Sequence, residues 1–165
     1  MRPAAGADGA VEPRGIIGPH DHFAAIAARD GIGPDGRPNP QPKGTLEVAT
    51  ISLDSFVGAQ QLGAVDILKF DIQGGELMAL QGATGLLRSG KTALIYTEVF
   101  FVPHYEGAPV FHDISALLAG FGYSLFDLYD LHRAGNGQIR YADALFVSSA
   151  IRQGVIDPLA TQARP

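Results

Sequence analysis

Apolar and polar positions alternate in short blocks along residues 45–148, and the block that organises the others is VDILKFDIQGGE, residues 65–76. Val65, Ile67, Leu68, Phe70 and Ile72 are β-branched, aromatic or aliphatic, a composition that predicts a strand covered on both faces, as in a parallel sheet. Lys69 and Asp71 interrupt the run near its end. Side chains alternate along a strand, so these two share a face, about 7 Å apart. Gly74 and Gly75 then allow a sharp turn, and Glu76 falls in the first turn of the next helix, where the macrodipole favours a carboxylate. Ligands in open α/β sheets sit beyond the carboxyl ends of strands, so Asp71 stands where chemistry would be done.

The same patterning predicts the remaining elements. Residues 46–51 (LEVATI) read as a strand, and Ser52 or Asp54 as the cap of a short helix ending near Gly63. After the 65–72 strand comes a helix from Gly75 to about Arg88, with Leu77, Leu80, Thr84 and Leu87 on its buried stripe and Gly90 as its stop. Residues 93–101 (ALIYTEVFF) form a second strand whose one inner charge, Glu98, lies near its carboxyl end. A loop follows over 103–109. Phe111, Ile114, Leu117, Leu118 and Phe121 line one side of a helix over 111–119, ended by Gly120 or Gly122. Residues 123–131 and 143–148 are strands joined through the AGNG turn at 134–137 and paired antiparallel. Strand, helix and strand in alternation imply an α/β fold with a three-layer, mostly parallel sheet closed by an antiparallel hairpin.

Composition narrows the class. The 165 residues fit one domain, and 46% hydrophobic content is enough for a core. A net charge of −5 with no basic run argues against a nucleic-acid or anionic-membrane surface. The absence of cysteine excludes disulfides, zinc–thiolate sites and thiol catalysis. The first fifteen residues lack an apolar h-region, so no signal peptide is expected, and no segment approaches the ~20 apolar residues of a membrane span. A cytoplasmic protein is expected. Seven of the eleven prolines fall between Pro3 and Pro42, so residues 1–44 are expected to be a low-order leader, apart from two helical turns over 22–29, and 151–165 a loose tail. GIGPDG, residues 31–36, matches G-x-G-x-x-G, but it follows a helix-like stretch and runs into RPNPQP. A dinucleotide loop follows a strand and opens a helix, so the match is a loop. His20 and His22 in this leader read as solvated, and no metal site is expected. His112 and His132 carry no signal.

TISLDSF, DILKFDIQGGELMALQGA and YTEVFFVPHYEGAPVFHDISALLAGFGYSLFDL together resemble the FkbM-type methyltransferases, over roughly Thr45–Ser148. The most specific piece is K-x-D-x-x-G-x-E, carried by Lys69, Asp71, Gly74 and Glu76. The resemblance implies a Rossmann-like, class I methyltransferase fold and S-adenosylmethionine as cofactor. It also implies a glycine-rich loop after a first strand and an acidic residue after a second, and neither is legible before Thr45. The fold is therefore expected to be the carboxyl-terminal portion of that domain, over 45–150, without its first strands. The 65–72 strand, central in the family, would then carry an unpaired edge that invites another chain. We expect the leader, a homodimer or a partner chain to cover it, or a chain poorly stable alone.

Asp71 is the first candidate for general base or orienting group, because an acid ending a buried strand needs a partner. Glu98 would face the same crevice and assist. Lys69 would pair with Asp71 or Glu76, or touch substrate. Gly74 and Glu76 are structural, holding the corner. On the resemblance, Asp71, Ile72 and Gln73 would contact the cofactor, and His104, Tyr105 and Glu106, in the loop above the crevice, would contact substrate. The expected activity is methyl transfer to a hydroxyl of a sugar or secondary-metabolite alcohol. The alternative is a truncated, non-catalytic interaction module or half of a split enzyme.

Overall fold

The computed structural model describes residues 49–104 and 107–161. Its centre is a four-stranded sheet of β1 (Ile67–Phe70), β2 (Leu94–Phe100), β3 (Tyr123–Arg133) and β4 (Ile139–Ser148), in the order β1-β2-β4-β3. β1 runs parallel to β2, with Leu68 opposite Ile95 and Phe70 opposite Thr97. β4 is antiparallel to both neighbours, placing Glu98 opposite Asp143 and Asp143 opposite Tyr129. The hairpin of β3 and β4 is as predicted. Its insertion is not: β4 lies between β2 and β3, so the sheet is mixed rather than mostly parallel.

The helices are α1 (Leu53–Ala59), α2 (Glu76–Gln81), α3 (Thr84–Arg88) and α4 (Phe111–Ala119). Their apolar stripes converge on one sheet face. Leu80, Ala83, Leu86 and Leu87 meet Ile114 and Leu118 over Leu68, Phe70, Ile95, Val99, Ala144 and Phe146. The amphipathic periods read from the sequence thus do what they imply: they bury one face of each helix against alternate strand residues. The opposite face is less covered. Ile67 is 60% exposed and Tyr129 39%, and β1 alternates exposed and buried rather than being enclosed on both sides. The second helical layer of the expected three-layer arrangement is not supplied by α1–α4.

Three further expectations are corrected. Residues 49–51 carry no strand, and the rest of LEVATI, with the leader and GIGPDG, lies outside the described residues. The single helix expected from Gly75 to Arg88 is two, because the chain turns at Gly82 and Ala83 so that Ala83 enters the core. Residues 149–160 are not a loose tail. They continue from β4 as α5 (Ser149–Ile151), a π-helical turn (Arg152–Ile156) and α6 (Asp157–Ala160). Arg152 ties this segment to β3 by donating to Ser124 Oγ and to the Leu125 carbonyl.

Ser52 and Asp54, alternatives for one cap, divide the work. Ser52 Oγ accepts from Ser55 N and caps α1. Asp54 reaches across to α3, accepting from Gly85 N and Leu86 N, each at 2.7 Å. Gly85 permits that approach, since a Cβ there would meet the carboxylate at 3.0 Å. Asp54→Ala leaves two helix-start amides without their acceptor and is expected to cost about 1–2 kcal/mol, seen as a lower urea midpoint with an unchanged slope.

Candidate active site

The corner after β1 is built from its backbone outward. Gln73 and Gly74 both have positive φ, +54° and +104°, and Gly75 N donates to Ile72 O at 3.3 Å. Two successive left-handed residues reverse the chain within one tight turn. Glycine accepts this geometry without strain, whereas glutamine does not. What holds the turn is Glu76, buried to 1% exposure. Its carboxylate accepts from Ile72 N at 2.9 Å and from Gly74 N at 2.8 Å. A buried carboxylate is tolerable only when hydrogen-bonded in this way. Gly74 and Glu76 thus shape the turn itself, the one through its backbone and the other through its buried carboxylate.

The turn presents three side chains at the carboxyl ends of β1 and β2. Gln73 Nε2 donates to Asp71 Oδ1 at 3.2 Å and to Glu98 Oε2 at 3.1 Å. One amide therefore spans carboxylates from two adjacent parallel strands, and Asp71 and Glu98 do share a corner. They are not equivalent. The Asp71 side chain is 60% exposed, and Lys69 Nζ lies 3.9 Å from its Oδ2 with 63% exposure of its own, a solvated pair that stabilises little. Glu98 is half-buried, and its carboxyl is pushed up to about 7 by burial first, then by the negative charges of Asp71, Glu76 and Asp143, with the Gln73 hydrogen bond opposing.

The less covered face extends the site beyond the residues legible in sequence. Asp143 lies opposite Glu98 and accepts from Tyr96 OH at 2.8 Å. That hydrogen bond, with burial and the charge of Asp143, pushes the Tyr96 phenol up to about 12. Tyr129 lies beside it, ring centroids 6.3 Å apart. Only the β2–β4 and β3–β4 registers make these neighbours, so no sequence signal could have found them. His104 is stacked on Phe100 at 5.1 Å and meets Tyr141 edge-on. Burial, with the nearby Arg140 charge, pushes its imidazole below the usual range. Tyr105 and Glu106 lie outside the described residues. No group of three or more metal-ligating side chains occurs among the described residues, and no helix there is long and apolar enough to cross a membrane.

The elevated Glu98 makes a signed prediction. The folded chain holds this proton more tightly than the unfolded one, whose carboxyl titrates near 4.5. The stability it contributes is therefore complete below about 4.5 and is lost as pH rises through about 7. Urea unfolding followed against pH should show that decline in the wild type, and Glu98→Gln should remove this component.

Against known proteins, the chain matches the family model described as Methyltransferase FkbM domain over residues 12–125. No curated protein and no solved structure gives a match. The family match begins ahead of Thr45 and ends within β3, so it includes the corner, Glu98 and the segment carrying His104. Membership implies S-adenosylmethionine-dependent methylation in general. With more than half of its length inside the match, including the corner formed by Lys69, Asp71, Gly74 and Glu76, the chain belongs to the FkbM methyltransferase domain family.

Proposed function

We propose that the chain is a methyltransferase acting on a hydroxyl oxygen, with a sugar or secondary-metabolite alcohol as acceptor. The observation that carries this reading is the pairing of Asp71 and Glu98 through Gln73 at the ends of two parallel strands. When bound, S-adenosylmethionine supplies an electrophilic methyl on a sulfonium cation. The corner suits that cation, because two carboxylates point into it. Asp71 and Gln73 would hold this end, and Ile72, 41% exposed, would pack beside it.

Glu98 is suited to act as the base. A general base works best with a proton affinity near the working pH, and Glu98 lies at about 7. It takes the acceptor's proton as the oxygen forms its bond to carbon. Asp71, in contact with water and Lys69, orients the acceptor. The half-buried His104 would line the substrate side.

Titration calorimetry with S-adenosylmethionine and S-adenosylhomocysteine, and methyl transfer to a panel of sugars and alcohols, test this. Glu98→Gln should keep cofactor binding and lose transfer by about 10²-fold or more, whereas Asp71→Asn should weaken both cofactor binding and transfer. The wild-type rate should rise with pH through about 7, because Glu98 accepts a proton only once ionised. No binding at millimolar cofactor would overturn the reading.

One observation favours a partner as well. Among the described residues β1 is hydrogen-bonded to a neighbour on one side only, and Ile67 is 60% exposed. Such an edge is a template for another strand, and a second copy of this chain would complete it. Sedimentation should then show a dimer that Ile67→Lys weakens, whereas a wild type that stays monomeric at micromolar concentration would remove this proposal.

A further inference from the structure

Gln73 occupies a backbone position that does not suit it. At φ +54°, a glycine would avoid the steric penalty that glutamine meets. Strain of this kind persists only where the surroundings enforce it. Here Glu76 enforces it from below, gripping the amides of Ile72 and Gly74 on either side of residue 73. The result is a side chain launched across the mouth of the corner. Its Nε2 reaches Asp71 and Glu98 at 3.2 and 3.1 Å. The chemistry of the partners fixes which end of the carboxamide faces them. Two carboxylates accept, so the two N–H bonds point to them. Both amide hydrogens are used in doing so, one on each strand end.

We propose that Gln73 is a positioning residue of the acidic corner: its amide holds Asp71 and Glu98 in one fixed orientation and governs how readily Glu98 takes up a proton. The groups that act on Glu98 come from three other elements. Asp71 stands at the end of β1, with Lys69 at its far oxygen, Glu76 begins α2, and Asp143 faces it from β4. Three of these four are acids that favour the protonated form. Gln73 is the neutral donor that stabilises the ionised one, and it does so without adding a charge that would compete for the site. A lysine there would make an ion pair and hold Glu98 ionised far below neutral pH. A hydrophobic residue would leave the carboxylates facing each other with nothing between.

The consequence for catalysis rests on the methyltransferase reading, but the assignment itself does not. Carbon-13 titration of the side-chain carboxyls in the whole chain tests it directly, with Glu98→Gln identifying the resonance. Gln73→Leu removes the amide, and Gln73→Gly removes it while also relieving the left-handed backbone, so folding is secure in at least the second. Either variant should raise the Glu98 midpoint by about half to one pH unit, a roughly three- to tenfold gain in proton affinity. The acid limb of the pH–rate profile should move by the same amount. A folded Gln73→Gly whose Glu98 midpoint matches wild type overturns the assignment, even if its activity falls. A shifted midpoint in a chain without methyl transfer sustains the assignment and counts against the catalytic reading instead.

Discussion

The buried carboxylate of Glu76 is the constraint on which the corner depends. Desolvating a charge costs several kcal/mol unless its lone pairs are taken up, and here two backbone amides, those of Ile72 and Gly74, take them up. These amides lie in the turn that precedes α2 and donate to the side chain that opens it. Carboxylate and turn thus satisfy each other. Glu76 also opens α2, so the interaction fixes the direction in which the chain leaves the sheet. The side chains of Asp71 and Gln73 are set by a group buried beneath the turn that carries them.

From that corner the rest of the site follows by sheet geometry. The parallel pairing of β1 with β2 brings two strand ends together, and with them Asp71 and Glu98. The antiparallel insertion of β4 adds Asp143 opposite Glu98 and Tyr96 as its hydrogen-bond donor. Burial first, and then the charges of Asp71, Glu76 and Asp143, raise the affinity of Glu98 for a proton. The two carboxylates of the corner differ in exposure, Glu98 being half-buried and Asp71 60% exposed.

The core and the site occupy opposite faces. Helices α1–α4 pack on the face of Leu68, Ile95, Val99 and Phe146, while Tyr96, Glu98, Asp143 and Tyr129 lie on the other. Substitution on the site face can alter chemistry with little cost to packing. Glu76 breaks this separation, since it is buried with the core yet shapes the site.

The elements with strong period were legible from residues alone. The α4 stripe, the two strands around Ile67 and Ile95, and the hairpin turn at 134–137 were each set by local alternation and glycine placement. So was the corner, because Asp71, Gly74 and Glu76 sit close in sequence and act locally. The break at Ala83 was hidden, since helical spacing continues across it and only the core's need for a small residue there decides the bend. The helical 149–160 segment was hidden because Arg152 holds it through partners on β3.

What the sequence by itself determined is the set of local units and the chemistry each one carries. Which strands lie side by side, that Glu98 meets Asp143, that Gln73 reaches both carboxylates and that one sheet face stays less covered were decided only by the tertiary structure. The physical reason is range. Alternation, turns and caps are fixed by residues a few positions apart, whereas strand order and the proton affinity of a buried acid depend on groups brought together from distant parts of the chain.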